Sequence, residues 1–304
     1  MAASIVLAGG SGFLGQALGT YLCELGYKCC ILTRGEAGTR DGIRYVKWDG
    51  RTQSGWEREL EGAHGVVNFT GKSVNCLYTK ANRAEIIRSR LDAVRVIDEA
   101  VRDLKVKPKV IVQAGSLAIF GNTERECDED AAHGNGFSVE VCQQWEKAFF
   151  QQDIPGVRKV MLRIGFALGP DGGALEPLMQ LARFGLGGTI GSGRQYISWL
   201  HLHDLNAMFR YALEEEQAEG IYNATGVQPI SNREFMKTLR EVMGKGWQPP
   251  APTPFVRLGA YLIMRADPEL ALSGRNCVPK RLLREGFSFR YTKLDEALRQ
   301  ITAQ

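Results

Sequence analysis

A glycine-rich turn near the N-terminus constrains this chain most. It reads Ala8-Gly9-Gly10-Ser11-Gly12-Phe13-Leu14-Gly15 and follows the apolar run at 4–7. Apolar residues then recur at helical spacing from Leu14 to Leu25, and Gly26 follows where a helix commonly ends. The glycines therefore lie on a predicted strand-to-helix turn, where glycine permits a tight bend and close approach of a pyrophosphate to the helix N-terminus. This context favours dinucleotide binding over a glycine turn without a ligand.

The composition is that of a globular protein without a nucleic-acid partner. Of 304 residues, 44% are hydrophobic, which suffices to bury one large domain, alone or with a smaller lobe. The net charge is +4, and the positive residues are scattered. The densest basic group follows one predicted helix, where we expect a solvated face: Lys80, Arg83, Arg88, Arg90 and Arg95. No basic tract indicates binding to nucleic acid.

Cysteine usage favours a reduced, cytoplasmic protein. The seven cysteines are odd in number and form no Cys-x-x-Cys pair: Cys23, Cys29, Cys30, Cys76, Cys127, Cys142 and Cys277. This argues against a disulfide framework and a zinc ribbon. The first predicted strand begins almost at once and the apolar stretch 258–264 is short, so we expect neither a signal peptide nor a membrane span. A monomer or homodimer without membrane contact or metal is expected.

Strand-like and helix-like segments alternate through the first half of the chain. Predicted strands cover 4–8, 28–33, 43–48, 65–68, 109–114, 159–164 and 220–223. Predicted helices cover 12–25, 83–104 and 138–151. This alternation predicts an α/β fold, a Rossmann-type doubly wound parallel sheet that binds a dinucleotide at the carboxyl ends of its strands.

After residue 164 the pattern predicts a smaller lobe. Residues 165–193 are rich in glycine and contain one predicted helix at 174–184. A capping box at 231–234 opens another helix, and the proline-rich segment 249–254 is extended. We predict a dinucleotide-binding domain at 1–169, to which 200–228 returns, and a substrate or cap lobe formed by 170–199 and 229–304.

The end of the second predicted strand favours NADP over NAD. Arg34 follows this strand, 19 residues after Gly15, where the adenosine ribose of a dinucleotide would lie. An arginine there suits the 2′-phosphate of NADP through a charge-assisted hydrogen bond, and Thr33 offers a second donor. The alternative is that the nearby Glu36 binds the ribose 2′-hydroxyl of NAD.

Several motifs, in order along nearly the whole chain, resemble the epimerase-like NADP-binding group of the extended or atypical short-chain dehydrogenase/reductases. This group is sometimes called SulA-like and includes the SDR39U1-type proteins. The matching segments are 9–15, Thr33-Arg34, Asn68-Phe69-Thr70-Gly71, Ser89-Arg90, Trp145-Glu146, 163–169, 187–195, 198–201 and 278–287. Among them, 187–195 is the most specific to the group.

The resemblance implies a Rossmann fold that binds NADP. Besides Thr33 and Arg34, the cofactor-binding residues that it implies are Gly9, Ser11, Gly12, Phe13, Leu14, Gly15, Phe69, Thr70, Gly71, Glu85, Arg90 and Ala167. The segment 69–71 would border the adenosine and its ribose, and Ala167 would touch the nicotinamide end. Glu85 and Arg90 would reach the cofactor from the following helix. Without the resemblance, Ser89-Arg90 is interpreted as a solvated helix face.

The proton-transfer pair usual in this superfamily is absent. Related enzymes place tyrosine and lysine four residues apart on one helix face, and none of the nine tyrosines here has lysine at that spacing. Cys142 stands at the tyrosine position and Glu146 at the lysine position. Ser116 matches the serine of the superfamily, whereas Phe120 replaces a frequent tyrosine. Ser116 orients a carbonyl or is a turn residue, and Cys142 is a weak acid or inert packing.

Other polar residues have competing interpretations. For His201 and His203, which lack an evident third ligand, we expect a structural role rather than a metal site. The acidic run at 124–130 is expected to be a solvated loop. Gln195 and Trp199 follow a glycine turn in the predicted lobe, and they line a substrate pocket or pack beneath it.

Two functions remain open on the sequence. The first is an NADP-dependent, epimerase-like oxidoreductase that moves a hydride to or from a carbonyl or hydroxyl carbon of a small molecule, such as a nucleotide sugar. The second is a non-catalytic NADP-binding protein whose cofactor redox state is read by a partner. The retained Ser116 favours the first function, and the missing tyrosine–lysine pair favours the second.

Overall fold

The computed structural model describes residues 3–170, 172–262 and 265–303. Strands β1 to β14 are Ser4–Ala8, Lys28–Thr33, Gly38–Arg40, Ile43–Lys47, Gly65–Asn68, Val110–Ser116, Thr123–Cys127, Arg158–Ile164, Phe166–Leu168, Tyr196–Ile197, Trp199–His201, Gly220–Ala224, Ile230–Ser231 and Arg275–Cys277. Helices α1 to α10 are Phe13–Glu24, Lys80–Asp103, Phe137–Phe150, Leu175–Arg183, Leu202–Glu214, Asn232–Val242, Thr253–Leu262, Glu269–Leu272, Lys280–Arg284 and Leu294–Thr302. Two 3₁₀ turns are Trp56–Leu60 and Leu117–Phe120.

A large, mainly parallel sheet confirms the predicted Rossmann-type fold. Its strand order is β12-β8-β6-β5-β1-β2-β4-β3. β1 lies between β2 and β5 and runs parallel to both. The chain therefore builds the sheet first to one side of β1 and then to the other, which opens a crevice at the carboxyl ends of these three strands. The sequence pattern missed β3, which pairs antiparallel with β4 at the sheet edge.

Alternating side chains on β1 explain why helices cover both faces of the sheet. Ile5 and Leu7 belong to an apolar cluster with α1 and α5, whereas Val6 and Ala8 belong to a second cluster with α2 and α3. All four side chains are at most 1% exposed. Because successive strand residues point to opposite faces, a strand that is apolar throughout needs cover on both sides. The doubly wound arrangement supplies it.

Local signals set the ends of two helices as predicted. At the end of α1, Gly26 has φ +89°, a left-handed conformation that glycine adopts at little cost. At the start of α6, the Ser231 side chain accepts a hydrogen bond from the Glu234 N–H, and the Glu234 carboxylate accepts one from the Ser231 N–H. This is the predicted capping box.

The C-terminal part of the chain has its own apolar cluster. Side chains of α4, α6 and α10 pack there with Trp199 of β11. β12, by contrast, pairs with β8 in the main sheet. Both observations agree with a smaller lobe and with the return of 200–228 to the larger domain, and the domain boundaries stay a prediction.

Two expectations about charged surfaces are wrong in part. Within the basic group of α2, Arg90 is not on a solvated face, because its guanidinium lies 4.9 Å from the centre of the Trp145 ring. Within the acidic run, 123–127 form β7. Glu129 is buried, and its carboxylate accepts hydrogen bonds from the backbone N–H groups of Asn223 and Arg281.

Two further observations concern the cysteine thiols and the length and polarity of the helices. Each of the seven cysteines is free. Across 3–170, 172–262 and 265–303, no helix combines the length and the apolar character needed to cross a membrane.

Candidate functional site

Backbone hydrogen bonds assemble a candidate site at the carboxyl ends of the central strands. The N–H of Gly9 donates to the carbonyl of Leu32 (2.9 Å), and the N–H of Phe69 donates to the carbonyl of Ala8 (2.8 Å). These bonds continue the pairing of β1 with β2 and β5. They bring the glycine turn beside the residues that follow both neighbouring strands.

The three spaced glycines of the turn serve different purposes. Gly9 has φ +67°, and a Cβ there would lie 2.6 Å from Thr70 Oγ1. A Cβ on Gly15 would overlap the backbone of Gly10, so Gly15 lets α1 approach the turn closely. A Cβ on Gly12 would meet nothing in the described chain within 4 Å. Of the three, Gly12 alone faces open space, which is what close approach of a pyrophosphate requires.

The N-terminus of α1 adds backbone donors at this opening. Gly12 is the N-cap residue, and its carbonyl accepts the N–H of Gln16 (2.9 Å). The N–H groups at 13–15 precede this first intrahelical hydrogen bond. Ser11 and Gly12 are exposed. A helix N-terminus with open space before it suits a phosphate group.

Thr70 carries a buried hydroxyl without a partner next to the turn. Its Oγ1 forms no hydrogen bond to the described residues. Its N–H donates to Asn68 Oδ1 (2.9 Å), and Asn68 Nδ2 donates to Gln113 Oε1 (2.9 Å). These hydrogen bonds fix the orientation of residues 68–70, while Thr70 Oγ1 is left without a partner among the described residues. Since an unpaired buried hydroxyl is unfavourable, a polar ligand group beside Gly9 fits the site.

The end of β2 presents groups suited to the adenosine end of a dinucleotide. Thr33 is buried, and its Oγ1 accepts the N–H of Gly35 (3.0 Å). The Arg34 side chain is exposed. Glu36, the alternative ribose ligand, lies 3.9 Å from the Arg40 guanidinium. An exposed arginine directly after β2 is accessible to a phosphate group, which agrees with the NADP prediction.

The ring of Phe13, at the start of α1, contacts the chain that follows β9. Its ring packs against Gly169, Gly172 and Gly173, where added Cβ atoms would come within 2.8–3.3 Å of ring atoms. These glycines follow β9, which contains Ala167 and pairs with β11. The glycines therefore allow the chain after β9 to pass close to the turn.

Glu85 and Arg90 lie on the first half of α2 in different surroundings. Glu85 pairs with Arg51 (2.7 Å) and with Arg88, and the hydrogen bond from Arg88 is the main cause that lowers the pKa of Glu85. Arg90 donates through Nη1 to two backbone carbonyls (2.9 and 3.1 Å). A Cβ on Gly71 would lie 3.0 Å from the Arg90 guanidinium carbon. Arg90 therefore borders the segment after β5.

Ser116 and Cys142 both adjoin the 3₁₀ turn at Leu117–Phe120. Ser116 ends β6, and its Oγ accepts the N–H of Ala118 (3.2 Å). Cys142 is 4% exposed and packs in one apolar cluster with Leu117 and Phe120. Burial raises the pKa of the Cys142 thiol to about 12. A thiol with so high a pKa releases its proton with difficulty, which favours its interpretation as packing over its interpretation as an acid.

Glu146, at the position of the usual lysine, forms a buried ion pair with Arg163 of β8. Nε and Nη2 of Arg163 donate to the two carboxylate oxygens of Glu146, each at 2.9 Å. Nη1 donates to the carbonyl of Glu129 (3.0 Å). Arg163 is 2% exposed and Glu146 is 8% exposed. Glu146 is therefore satisfied inside the protein and supplies no cation.

The histidine pair makes structural contacts. His201 precedes α5, and its Nδ1 accepts the N–H of His203 (3.0 Å). Its Nε2 lies 2.8 Å from Gln300 Oε1. In the part of the chain that the structure describes, no three His, Cys, Asp or Glu side chains group as metal ligands would.

Gln195 and Trp199 are both buried. Trp199 is 1% exposed within the C-terminal apolar cluster. Gln195 Nε2 donates to the carbonyl of Ile190 (2.9 Å). These contacts favour packing beneath a pocket over lining it.

Sequence reasoning assigned no role to Gln113, Arg163 and Arg275. Gln113 and Arg163 each end an apolar run within a strand, and that interruption was the available signal. Arg275, on β14, carried no local signal, since its surroundings come from segments distant in the chain.

Comparison with known proteins identifies similar chains. Residues 5–225 match the NAD dependent epimerase/dehydratase family, and 251–301 match a domain of unknown function, DUF1731. Epimerase family protein YfhF of Bacillus subtilis is 34% identical over 99% of this chain and 98% of its own length. Epimerase family protein SDR39U1 of Mus musculus is 31% identical over 98% of this chain and 99% of its own. The crystal structure of human SDR39U1 (isoform 2) with NADPH superposes with a TM-score of 0.88 at 27% identity, covering 99% of both chains.

Proposed function

The chain belongs to the NAD dependent epimerase/dehydratase family, and we propose that it is an NADP-binding, epimerase-like oxidoreductase. The observation that carries the proposal is the open space at Gly12 before α1, with the unpartnered Thr70 hydroxyl beside Gly9. The human relative crystallised with NADPH supports the choice of cofactor. When bound, NADP(H) supplies hydride transfer, and the chain's own residues hold and orient the reactants.

The cofactor contacts that we propose come from five parts of the chain. They are Gly9, Ser11, Gly12, Phe13, Leu14 and Gly15 from the turn; Thr33 and Arg34 after β2; Phe69, Thr70 and Gly71 after β5; Glu85 and Arg90 from α2; and Ala167 from β9. The turn would hold the pyrophosphate, Arg34 the 2′-phosphate, and Ala167 would border the nicotinamide.

Replacing Arg34 with alanine should weaken NADPH binding several-fold to about 100-fold and leave NADH binding nearly unchanged. The variant loses a charge-assisted hydrogen bond to the 2′-phosphate of NADPH, worth about 1.5–3 kcal/mol. NADH has no 2′-phosphate, so its binding does not depend on this hydrogen bond. Fluorescence titration with each cofactor measures the two affinities. Arg284→Ala, an exposed arginine at the end of α9, is the matched control. Equal losses for both cofactors would contradict this assignment.

For catalysis, we propose that Ser116 orients a carbonyl or hydroxyl oxygen of the substrate. Its Oγ accepts one backbone N–H, so its hydroxyl hydrogen is available to donate. Steady-state NADPH oxidation with carbonyl compounds and nucleotide sugars tests for turnover. With any substrate found, Ser116→Ala should lower kcat/KM about tenfold, the worth of one hydrogen bond, without changing NADPH affinity. Unchanged turnover in this variant would remove Ser116 from the mechanism.

A second candidate function is a non-catalytic NADP-binding protein whose cofactor redox state is read by a partner. The ion pair of Glu146 with Arg163 favours it, because a carboxylate already satisfied by the protein replaces the usual lysine. The buried Cys142, with its pKa raised to about 12, is a poor substitute for the usual tyrosine. Tight NADPH binding without turnover across the whole panel would select this candidate.

We also propose that 1–169 with 200–228 form the cofactor domain, and that 170–199 with 229–304 form the lobe that covers the substrate. The separate C-terminal apolar cluster and the pairing of β12 with β8 support this division. The expected partner is a small molecule.

A further inference from the structure

Arg275 lies on β14, a strand that hydrogen bonds attach to several neighbouring segments. β14 runs parallel to β7. Ser198 Oγ donates to the carbonyl of Arg275 (2.8 Å) and accepts the N–H of Cys277 (2.8 Å). The N–H of Gly274 donates to Asn122 Oδ1 (2.9 Å). The backbone at Arg275 is therefore fixed, and so is the direction in which its side chain leaves the strand.

The Arg275 guanidinium is left with unused donors. Its Nε donates to the carbonyl of Gly121 (3.1 Å), just after the 3₁₀ turn that follows Ser116. The side chain is partly buried, and it forms no ion pair with the described residues. Burial lowers the pKa of Arg275, and the charge of Glu269 is among those that oppose this shift. Because arginine stays charged in proteins, the N–H groups of Nη1 and Nη2 remain for another partner.

Arg275 shares its surroundings with Cys142 and Arg90. The charges of Arg90, Arg275 and Arg163 all oppose the burial-driven rise in the pKa of Cys142. Arg90 bonds backbone carbonyls through Nη1 and lies over the Trp145 ring. Cys277, on the same strand as Arg275, packs with Cys142 in one apolar cluster, so β14 lies beside the thiol that stands where related enzymes have their tyrosine.

Two deeply buried cations elsewhere in the protein are matched by carboxylates. Arg163 is paired with Glu146, and Lys159 Nζ lies 2.8 Å from Asp98 Oδ2. Taking a charge out of water is costly unless a counter-charge and hydrogen bonds replace the solvent. Arg275 is partly buried and has no carboxylate among the described residues, so a bound ligand can supply its counter-charge.

We propose that Arg275 binds an anionic group of the substrate, a carboxylate or a phosphate, beside Ser116 and Cys142. The inference rests on the proposed function, which puts the reacting carbon near Ser116. A guanidinium binds either anion through two parallel N–H donors, which fixes orientation as well as charge. Arg90 belongs to the proposed cofactor contacts, so recognition of the substrate anion depends on Arg275. The substrates are therefore acidic compounds, such as sugar acids or phosphate esters that carry a carbonyl or hydroxyl carbon.

Thermal unfolding of the NADPH-saturated protein tests the proposal. Sodium phosphate and sodium malonate are the two probes, and sodium chloride at equal ionic strength is the reference. Saturation with NADPH occupies the glycine turn, so phosphate bound there does not contribute. Wild type, Arg275→Gln and the exposed control Arg284→Gln are compared. The probe that acts distinguishes phosphate recognition from carboxylate recognition.

We expect at least one probe to raise the Tm of wild type and Arg284→Gln by about 2–3 °C at roughly five times its Kd. Arg275→Gln should lose this response. Without probe, Arg275→Gln should be at least as stable as wild type, because an unmatched cation has been removed. A lower Tm of Arg275→Gln than of wild type without probe would mean that Arg275 stabilises the fold, and it would overturn the proposal. An equal rise in Tm in all three proteins, or no rise in any of them, would also overturn it.

The outcome separates this inference from the proposed function. NADPH affinity is measured beforehand by titration, so a protein that binds NADPH but shows no Arg275-dependent anion effect retains the proposed function alone. The unfolding comparison is repeated without NADPH. A difference between wild type and Arg275→Gln there would support the anion site even if NADPH did not bind.

Discussion

Gly12→Ala is expected to weaken NADPH binding by about 100-fold to 10,000-fold while the fold remains as stable as wild type. The added Cβ meets nothing in the described protein within 4 Å, and the φ of Gly12, −89°, suits alanine. The methyl group would instead occupy the space that the pyrophosphate needs. Displacing that group removes two or more charge-assisted hydrogen bonds, each worth about 1.5–3 kcal/mol.

Two small and opposing effects act on the free energy of unfolding of Gly12→Ala. Alanine is a slightly poorer N-cap than glycine, whereas it reduces the conformational freedom of the unfolded chain by about 0.4–1 kcal/mol. The free energy of unfolding should therefore stay within about 1 kcal/mol of wild type. Isothermal titration with NADPH and thermal unfolding measure the two quantities.

Two further glycines provide the controls. Gly246→Ala makes the same change at another open, exposed position and should alter neither quantity. Gly15→Ala forces a Cβ into the backbone of Gly10 and should lower the Tm. A Gly12→Ala protein that binds NADPH as tightly as wild type would show that the pyrophosphate does not pass over this residue.

Arg163→Met is expected to destabilise the protein by about 3–5 kcal/mol, which lowers the Tm by about 6 °C or more. Methionine fills much of the arginine volume, so the lost stability measures the removal of a charge rather than the creation of a cavity. Glu146 keeps its buried position on α3 but loses both donors, each at 2.9 Å. A buried carboxylate without a counter-charge is strongly unfavourable.

A double variant separates the ion pair from its surroundings. Glu146→Met combined with Arg163→Met removes both charges and should recover most of the lost stability. Lys237→Ala, which removes an exposed cation 3.8 Å from Glu241, should leave the Tm nearly unchanged. Chemical denaturation and thermal unfolding of the four proteins measure the changes in free energy and in Tm. An Arg163→Met protein as stable as wild type would mean that water or another donor reaches Glu146.

Much of the fold follows from local sequence patterns. The apolar run at 4–8, the helical spacing after Gly12 and the capping box at 231–234 each specify an element through contacts within a few residues. Alternation of such elements then leaves few topologies, of which the doubly wound sheet is the common one. The short edge strand β3 escaped this reasoning because its three residues are all exposed.

The chemistry of the site depended on contacts that no local pattern records. Glu129 looked like one acid in a solvated run, yet it accepts N–H groups from residues 94 and 152 positions away in the chain. Arg90 looked like part of a basic helix face, yet it lies over Trp145. Charge alone does not tell whether a side chain meets water or a distant partner.

The sequence by itself determined the glycine turn and the place of that turn between a strand and a helix, because spacing and glycine conformation act over a few residues. The tertiary structure decided the rest. It left Gly12 open and the Thr70 hydroxyl unpaired, matched Glu146 with Arg163, and left Arg275 without a carboxylate among the described residues. These outcomes depend on which distant segments the packed sheet and lobe bring together, since burial makes a polar group depend on whatever partner lies beside it.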